Sequence, residues 1–209
     1  MRIAREGYPF VGAAAGAALI AGLGGWQGPA IVALVLAGFF VNFFRDPERR
    51  IPDGAGLVVS PADGRVIDVE PDVRTAELPG PATRVSIFMS PLNVHVNRAP
   101  VAGTVLAVRY QPGKFHAAFS PKASPDNERN AILIRDERQE RILMIQIAGA
   151  LARRIVCYVR PEAPVERGVR CGIILFGSRV DLYLPRAVAV RVRSGDRLRA
   201  GESVIGAYA

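Results

Sequence analysis

The sequence predicts a mainly β protein, a compact β-sandwich and barrel hybrid with few short helices, preceded by an N-terminal hydrophobic helical hairpin. Three observations carry that prediction. From Gly7 to Phe44 no residue is charged, and two apolar blocks flank a Gly-rich turn. From Arg45 onward, short runs rich in β-branched residues are bounded by Pro and Gly. No stretch after Arg45 keeps a long 3.6-residue period, the mark of an amphipathic helix. A chain of 209 residues holds one ordinary domain plus an appendage. The uneven apolar content sets the appendage at residues 1–44 and the β-rich domain at 45–209.

The apolar blocks run roughly from Tyr8 to Leu23 and from Pro29 to Phe44, around Gly24-Gly25-Trp26-Gln27-Gly28. A signal peptide has one apolar core and a cleavage site, so a second block argues against one. Each block falls somewhat short of the ~20 residues that cross a bilayer comfortably. Arg2 and Arg5 precede the first block, Arg45, Arg49 and Arg50 follow the second, and the turn carries no charge. Positive charge at both ends places both on the cytoplasmic side. A tight helical hairpin is the first reading and a shallow monotopic hairpin the second. The expected location is the cell membrane, with the β-rich domain facing the cytoplasm.

Asp46-Pro47-Glu48-Arg49-Arg50-Ile51-Pro52-Asp53 is polar and Pro-punctuated, and reads as a linker. Strands are predicted at 58–60, 64–69, 84–89, 103–108, 131–134, 141–147 and 154–159, with a short helix near Ala148 to Arg153. Pro61-Ala62-Asp63-Gly64-Arg65-Val66 and Pro100-Val101-Ala102-Gly103-Thr104-Val105 share a Pro-x-x-Gly-x-Val core, a weak internal echo. Such turns join short strands in flattened, interleaved barrels. The polar stretch from Gln111 to Arg129 reads equally as a binding loop and as an ordinary surface loop. The run from Ile173 to Pro185 is apolar and β-prone but interrupted by Gly177-Ser178. A Gly within a strand pattern marks a bulge, a bend or a close backbone approach.

The net charge is +8, carried almost wholly by Arg; Lys114 and Lys122 are the only lysines. The arginines are scattered singly without an aromatic-basic cluster, which argues against nucleic acid. Beside an apolar hairpin, attraction to anionic headgroups is the simpler account. Cys157 and Cys171 form no disulfide framework and, with His95 and His116 as the only histidines, give no metal-ligand spacing.

Four phrases remain: Ser60-Pro61-Ala62-Asp63-Gly64, then 88–98 around His95, then Asn127-Glu128-Arg129-Asn130, then Phe176-Gly177-Ser178. Singly, each is weak: an Asp in such a turn serves turn chemistry, and a lone His is more often structural. In this order, from about Phe44 to the C-terminus, they resemble the phosphatidylserine decarboxylase family, in its short membrane-anchored prokaryotic branch. The most specific element is Gly-Ser within Phe176-Gly177-Ser178-Arg179-Val180-Asp181.

That resemblance implies a proenzyme cut between Gly177 and Ser178 into a β chain, 1–177, and an α chain, 178–209, which stay together as a heterodimer. Ser178 would attack the Gly177 carbonyl, and β-elimination and loss of ammonia would leave a covalent pyruvoyl group. That group would accept the amine of phosphatidylserine as a Schiff base and act as the electron sink while CO2 leaves. The resemblance assigns His95 to substrate handling and proton transfer, and Asp63 to self-processing. Long-form relatives carry a second histidine three positions after the first, where this chain has Arg98. The processing base is thus either His95 acting twice or His116 folding in from the loop. Arg98, His116, Asn127 and Arg129 are candidate substrate contacts, an Arg being able to hold a carboxylate or phosphate bidentately. No metal is implied, and a higher oligomer stays open. The reading from a different class is a membrane-tethered carrier or adaptor domain without catalysis; Lys114 and Lys122 lack the Met neighbour typical of a carrier lysine.

Overall fold

A computed structural model describes residues 2–114, 127–149 and 154–209. The chain divides into two compact units, Met1–Glu48 and Arg49–Ala209. In the first, a 3-10 turn (Arg5–Gly7) leads into α1 (Tyr8–Leu23), and α2 (Gln27–Phe43) runs back. The reversal is tight, with the Trp26 N–H on the Ala21 carbonyl at 2.8 Å and Gly25 at φ +73°. Small residues face inward, Ala14, Ala18, Ala21 and Ala33 being buried, while Leu19, Ile20, Leu23, Ile31, Val32 and Val35 are exposed. Helices apolar all round, with their large side chains outward, suit a lipid surrounding rather than water. Arg5–Leu23 is long and apolar enough to cross a membrane, and Gln27–Phe43 is a shorter apolar helix.

The base of the hairpin is closed by two short strands, β1 (Arg2–Ile3) and β2 (Arg45–Asp46), paired antiparallel. Phe10 stacks on Phe44 with ring centroids 5.3 Å apart. Gly7 is required here, because a Cβ would sit 2.5 Å from the Phe44 side chain.

The second unit is built of strands. In order they are β3 (Leu57–Val59), β4 (Gly64–Val73), β5 (Ala82–Met89), β6 (Val96–Arg98) and β7 (Gly103–Gln111). There follow β8 (Arg129–Asp136), β9 (Arg141–Ala148), β10 (Ile155–Cys157), β11 (Pro164–Val165) and β12 (Arg170–Ile174). The chain ends with β13 (Ser178–Pro185), β14 (Val188–Val190), β15 (Arg197–Leu198) and β16 (Val204–Tyr208). Among the described residues, one sheet has the order β11-β7-β8-β9-β13-β5-β4-β15, and it curls into half a barrel. Two smaller sheets, β10-β12-β6 and β14-β16-β3, accompany it. The expected mainly β architecture behind a helical hairpin is therefore the one observed.

Alternation decides which face is buried. Along β13, Val180, Leu182 and Leu184 join Ile87, Met89, Met144 and Ile132 in the main core, as the two-residue side-chain period of a strand requires. Arg179 and Asp181 lie on the opposite face. The predicted helix near Ala148 to Arg153 is not borne out at its start, since Ala148 closes β9. Bonding to the Glu128 carbonyl and pairing with β13 claim its backbone, and residues 150–153 lie outside the described ones. His116 and most of the predicted loop lie outside them as well.

Candidate active site

The interruption in the 173–185 run is a sharp turn. β12 ends at Ile174, Leu175 crosses over, and Phe176 and Gly177 both take left-handed backbone, at φ +63° and +71°. Two such residues in succession bend the chain out of one sheet and into β13 of another at Ser178. The glycine is there for its dihedral, since a Cβ at 177 would meet nothing within 4 Å, and the reason is conformational rather than a close approach. Phe176 has no such licence, and a non-glycine residue there costs about 1–2 kcal/mol. From Ser178 onward the strand is held on both sides, Ser178 opposite Met89 of β5 and Ala148 of β9. A firmly clamped serine thus follows directly on a strained turn.

Both polar groups of Gly177 are engaged. Its N–H points at His95 Nε2 at 3.4 Å, and its carbonyl accepts the Gly149 N–H at 3.0 Å. His95 is fully buried, and its Nδ1 lies 3.0 Å from the Asn93 carbonyl. A carbonyl can only accept, so Nδ1 carries the proton and Nε2 of the neutral ring presents its lone pair to the Gly177 N–H. Asn93 is itself held, its Oδ1 accepting from both the Ser90 N–H and the Ser90 hydroxyl.

Ser178 is fully buried, and its hydroxyl donates to Met89 Sδ at 3.3 Å. A thioether is a weak acceptor, so turning the hydroxyl away from it sacrifices little. A second donor, Asn97 Nδ2, reaches the same sulfur at 3.6 Å. Behind it a chain of buried amides runs from Asn97 Oδ1 to Gln146 Nε2 at 2.8 Å, and from Gln146 Oε1 to Asn130 Nδ2 at 2.9 Å. A fully satisfied amide chain of this kind fixes β6, β8 and β9 in one register. The sequence reading did not assign Gln146 or Asn97 a role; the available signal was a polar residue inside the apolar run 142–147.

Asp63 is placed in a different set of contacts. Its two carboxylate oxygens each lie 2.9 Å from Arg49 Nη2, and Oδ1 also accepts the Ala200 N–H at 2.8 Å. Arg49 reaches Glu202 as well, at 3.5 Å. The pair is largely buried, with side-chain exposures of 7% and 12%, and it ties the linker and the turn before β16 to the 60–63 turn. Removing one partner of a buried pair strands the other, at about 3–5 kcal/mol. Arg49→Met is expected to lower the unfolding free energy by roughly that amount in denaturant titrations, and an unchanged midpoint would show the carboxylate to be indifferent to its partner.

Arg98 is buried, with Nη1 on the Gly168 carbonyl at 2.8 Å. Asn127 is buried, with Nδ2 on the Ala148 carbonyl at 2.7 Å. Arg129, half-buried at the head of β8, holds Gln111 Oε1 through Nε and Nη2 at 2.9 and 2.7 Å. The structure thus brings His95, Gly177 and Ser178 together, sets Asn127 on the adjoining Ala148 peptide, and gives Asp63 and Arg98 supporting contacts of their own. Burial pushes the Cys171 thiol up to about 12, which leaves it un-ionised and inert at neutral pH. Among the described residues no group of His, Cys, Asp and Glu could hold a metal ion.

A family model described as phosphatidylserine decarboxylase matches residues 36–206. Among curated proteins, the phosphatidylserine decarboxylase proenzyme of Desulfotalea psychrophila is 44% identical over 204 residues, covering 98% of this chain and 95% of its own. That of Syntrophus aciditrophicus is 47% identical over 209 residues, covering 99% and 97%. That of Nitratidesulfovibrio vulgaris is 50% identical over 205 residues, covering 97% and 93%.

Proposed function

The chain belongs to the phosphatidylserine decarboxylase family, and from that premise we propose that it is a self-cleaving proenzyme that converts phosphatidylserine to phosphatidylethanolamine and CO2. The observation that carries the reading is the environment of the Gly177–Ser178 bond: a clamped serine behind a strained turn, with an unprotonated imidazole nitrogen facing Gly177.

In maturation, Ser178 Oγ gives its proton to His95 Nε2 and attacks the Gly177 carbonyl carbon, so that an ester replaces the amide. Loss of the Ser178 α-proton then breaks the Cβ–Oγ bond and releases residues 1–177 with a Gly177 carboxylate. Hydrolysis of the remaining dehydroalanine frees ammonia and leaves a pyruvoyl group at the head of 178–209. The surroundings fit a group made in place: residue 178 is buried on the ladder of β5 and β9, and the nitrogen it loses adjoins the residue that faces His95. The pyruvoyl group supplies a ketone for the substrate amine and an adjacent carbonyl as electron sink. His95 holds a proton for the former α-carbon once CO2 has left. Arg129 is the proposed headgroup contact. His116 stays a candidate second contact, and Asp63, Arg98 and Asn127 hold the frame.

Residues 1–44 serve as the anchor and 45–209 as the catalytic domain on the cytoplasmic side, so the lipid is met at the bilayer surface without extraction of both acyl chains. The two chains remain a heterodimer through the β13 ladder. A carrier domain without catalysis finds no support among relatives named as proenzymes. The test is a gel and a mass spectrum: purified protein is expected as fragments 1–177 and 178–209, the smaller with a blocked pyruvoyl terminus. An intact chain, or a free Ser at the head of the fragment, would sink the reading.

A further inference from the structure

One donor at the scissile bond has no part in the steps above. The Gly149 N–H lies 3.0 Å from the Gly177 oxygen, the atom that becomes an oxyanion when Ser178 attacks. It is the last rung of the β9–β13 ladder, since the Ala148 N–H turns away to Glu128 and the flanking Gly149 N–H turns to β13. The regular β9–β13 register ends at the Ser178–Ala148 pair, and Gly177 has left extended geometry at φ +71°. The N–H is nevertheless aimed at the oxygen of this displaced residue.

The peptide that carries this N–H is also held from its other end. Its carbonyl, that of Ala148, accepts the buried Asn127 Nδ2 at 2.7 Å, and the Ala148 N–H is bound by the Glu128 carbonyl at 2.9 Å. Hydrogen bonding to an amide oxygen polarises the amide and makes its N–H a stronger donor. A donor fixed before the reaction needs no reorganisation when charge appears, which is the source of oxyanion stabilisation.

We infer that the Gly149 N–H is a catalytic donor for self-cleavage, stabilising the oxyanion at Gly177, and that Asn127 is its positioning residue. The inference rests on the self-cleavage reading above. In the step concerned, the Ser178 O–H bond breaks with its proton going to His95 Nε2, and the Oγ–C bond to Gly177 forms. The carbonyl π pair moves onto the Gly177 oxygen, where Gly149 holds it. Collapse returns that pair, breaks the bond from the Gly177 carbon to the Ser178 nitrogen, and passes the proton from His95 to that nitrogen.

Two variants of the full-length chain test this. Glycolic acid encoded at 149 replaces the amide by an ester, which deletes the N–H and weakens the Ala148 carbonyl as an acceptor; cleavage of the newly made, folded chain is expected to slow by about 10²-fold. Asn127→Asp keeps the shape but reverses the function: ionised, it repels the Ala148 oxygen, and protonated it donates to it. Its cleavage rate relative to wild type is therefore expected to rise as pH falls, the titration of His95 cancelling in the ratio. A folded glycolate variant that cleaves at the wild-type rate overturns the inference. So does a pH-independent ratio for Asn127→Asp, which decides the matter alone if the ester variant does not fold. If the wild-type chain itself yields no blocked 178–209 fragment, the maturation reading fails instead, an outcome separate from either of these.

Discussion

Ser178→Ala is expected to leave the chain intact at 22.4 kDa and to release no CO2 from phosphatidylserine. The substitution removes the attacking oxygen, and with it the leaving group whose β-elimination opens the chain and creates the ketone. Among the described residues no neighbour stands in: Cys171 is buried with its thiol pushed up to about 12, and the residue opposite on β5 is Met89. The fold should survive, because among the described residues the lost hydroxyl bonds only a thioether and the ladder on both sides of β13 uses backbone groups. Thermal unfolding within a few degrees of the unprocessed wild-type chain, with cleavage and CO2 release both absent, is the expected pair of results. Cleavage at 177 in this variant would exclude Ser178 as the nucleophile.

His95→Gln is expected to lower decarboxylation by about 10²–10⁴-fold, the range for removing a positioned acid or base. Glutamine retains a donor and an acceptor but cannot take and return a proton, so the loss should fall on kcat more than on KM. Self-cleavage should slow too, because Nε2 is the nitrogen facing Gly177. Comparing the two rates separates the tasks: normal cleavage with lost decarboxylation would leave His116 as the processing base. Retention of both activities would remove His95 from the mechanism.

Much of this was readable in the chain itself. The uncharged stretch and its flanking arginines announced the hairpin, and the β-branched runs announced the strands at 64–69, 84–89 and 141–147. Gly177-Ser178 stood out because glycine is rare within an apolar β run. Other features were illegible for specific reasons. Nothing in a phenylalanine announces left-handed backbone, so the strain at Phe176 is imposed by its neighbours. Arg49 looked like one linker charge among several, and only folding sets it against Asp63, fourteen residues on. Gly149 fell within a predicted helix, where its N–H would have been directed elsewhere.

The sequence by itself determined which segments are apolar hairpin and which are strand, because side-chain alternation and turn residues act over a few positions. It also singled out Ser178 and His95, through the order of the four phrases that resemble the family. Which groups meet was left to the tertiary structure. β13 is inserted between β5 and β9, partners about 90 and 30 residues earlier in the chain, and sheet order alone carries the Gly149 N–H to the Gly177 carbonyl and His95 Nε2 to the Gly177 N–H. Local pattern encodes an element's conformation; the long-range pairing of backbone groups decides which donor meets which carbonyl.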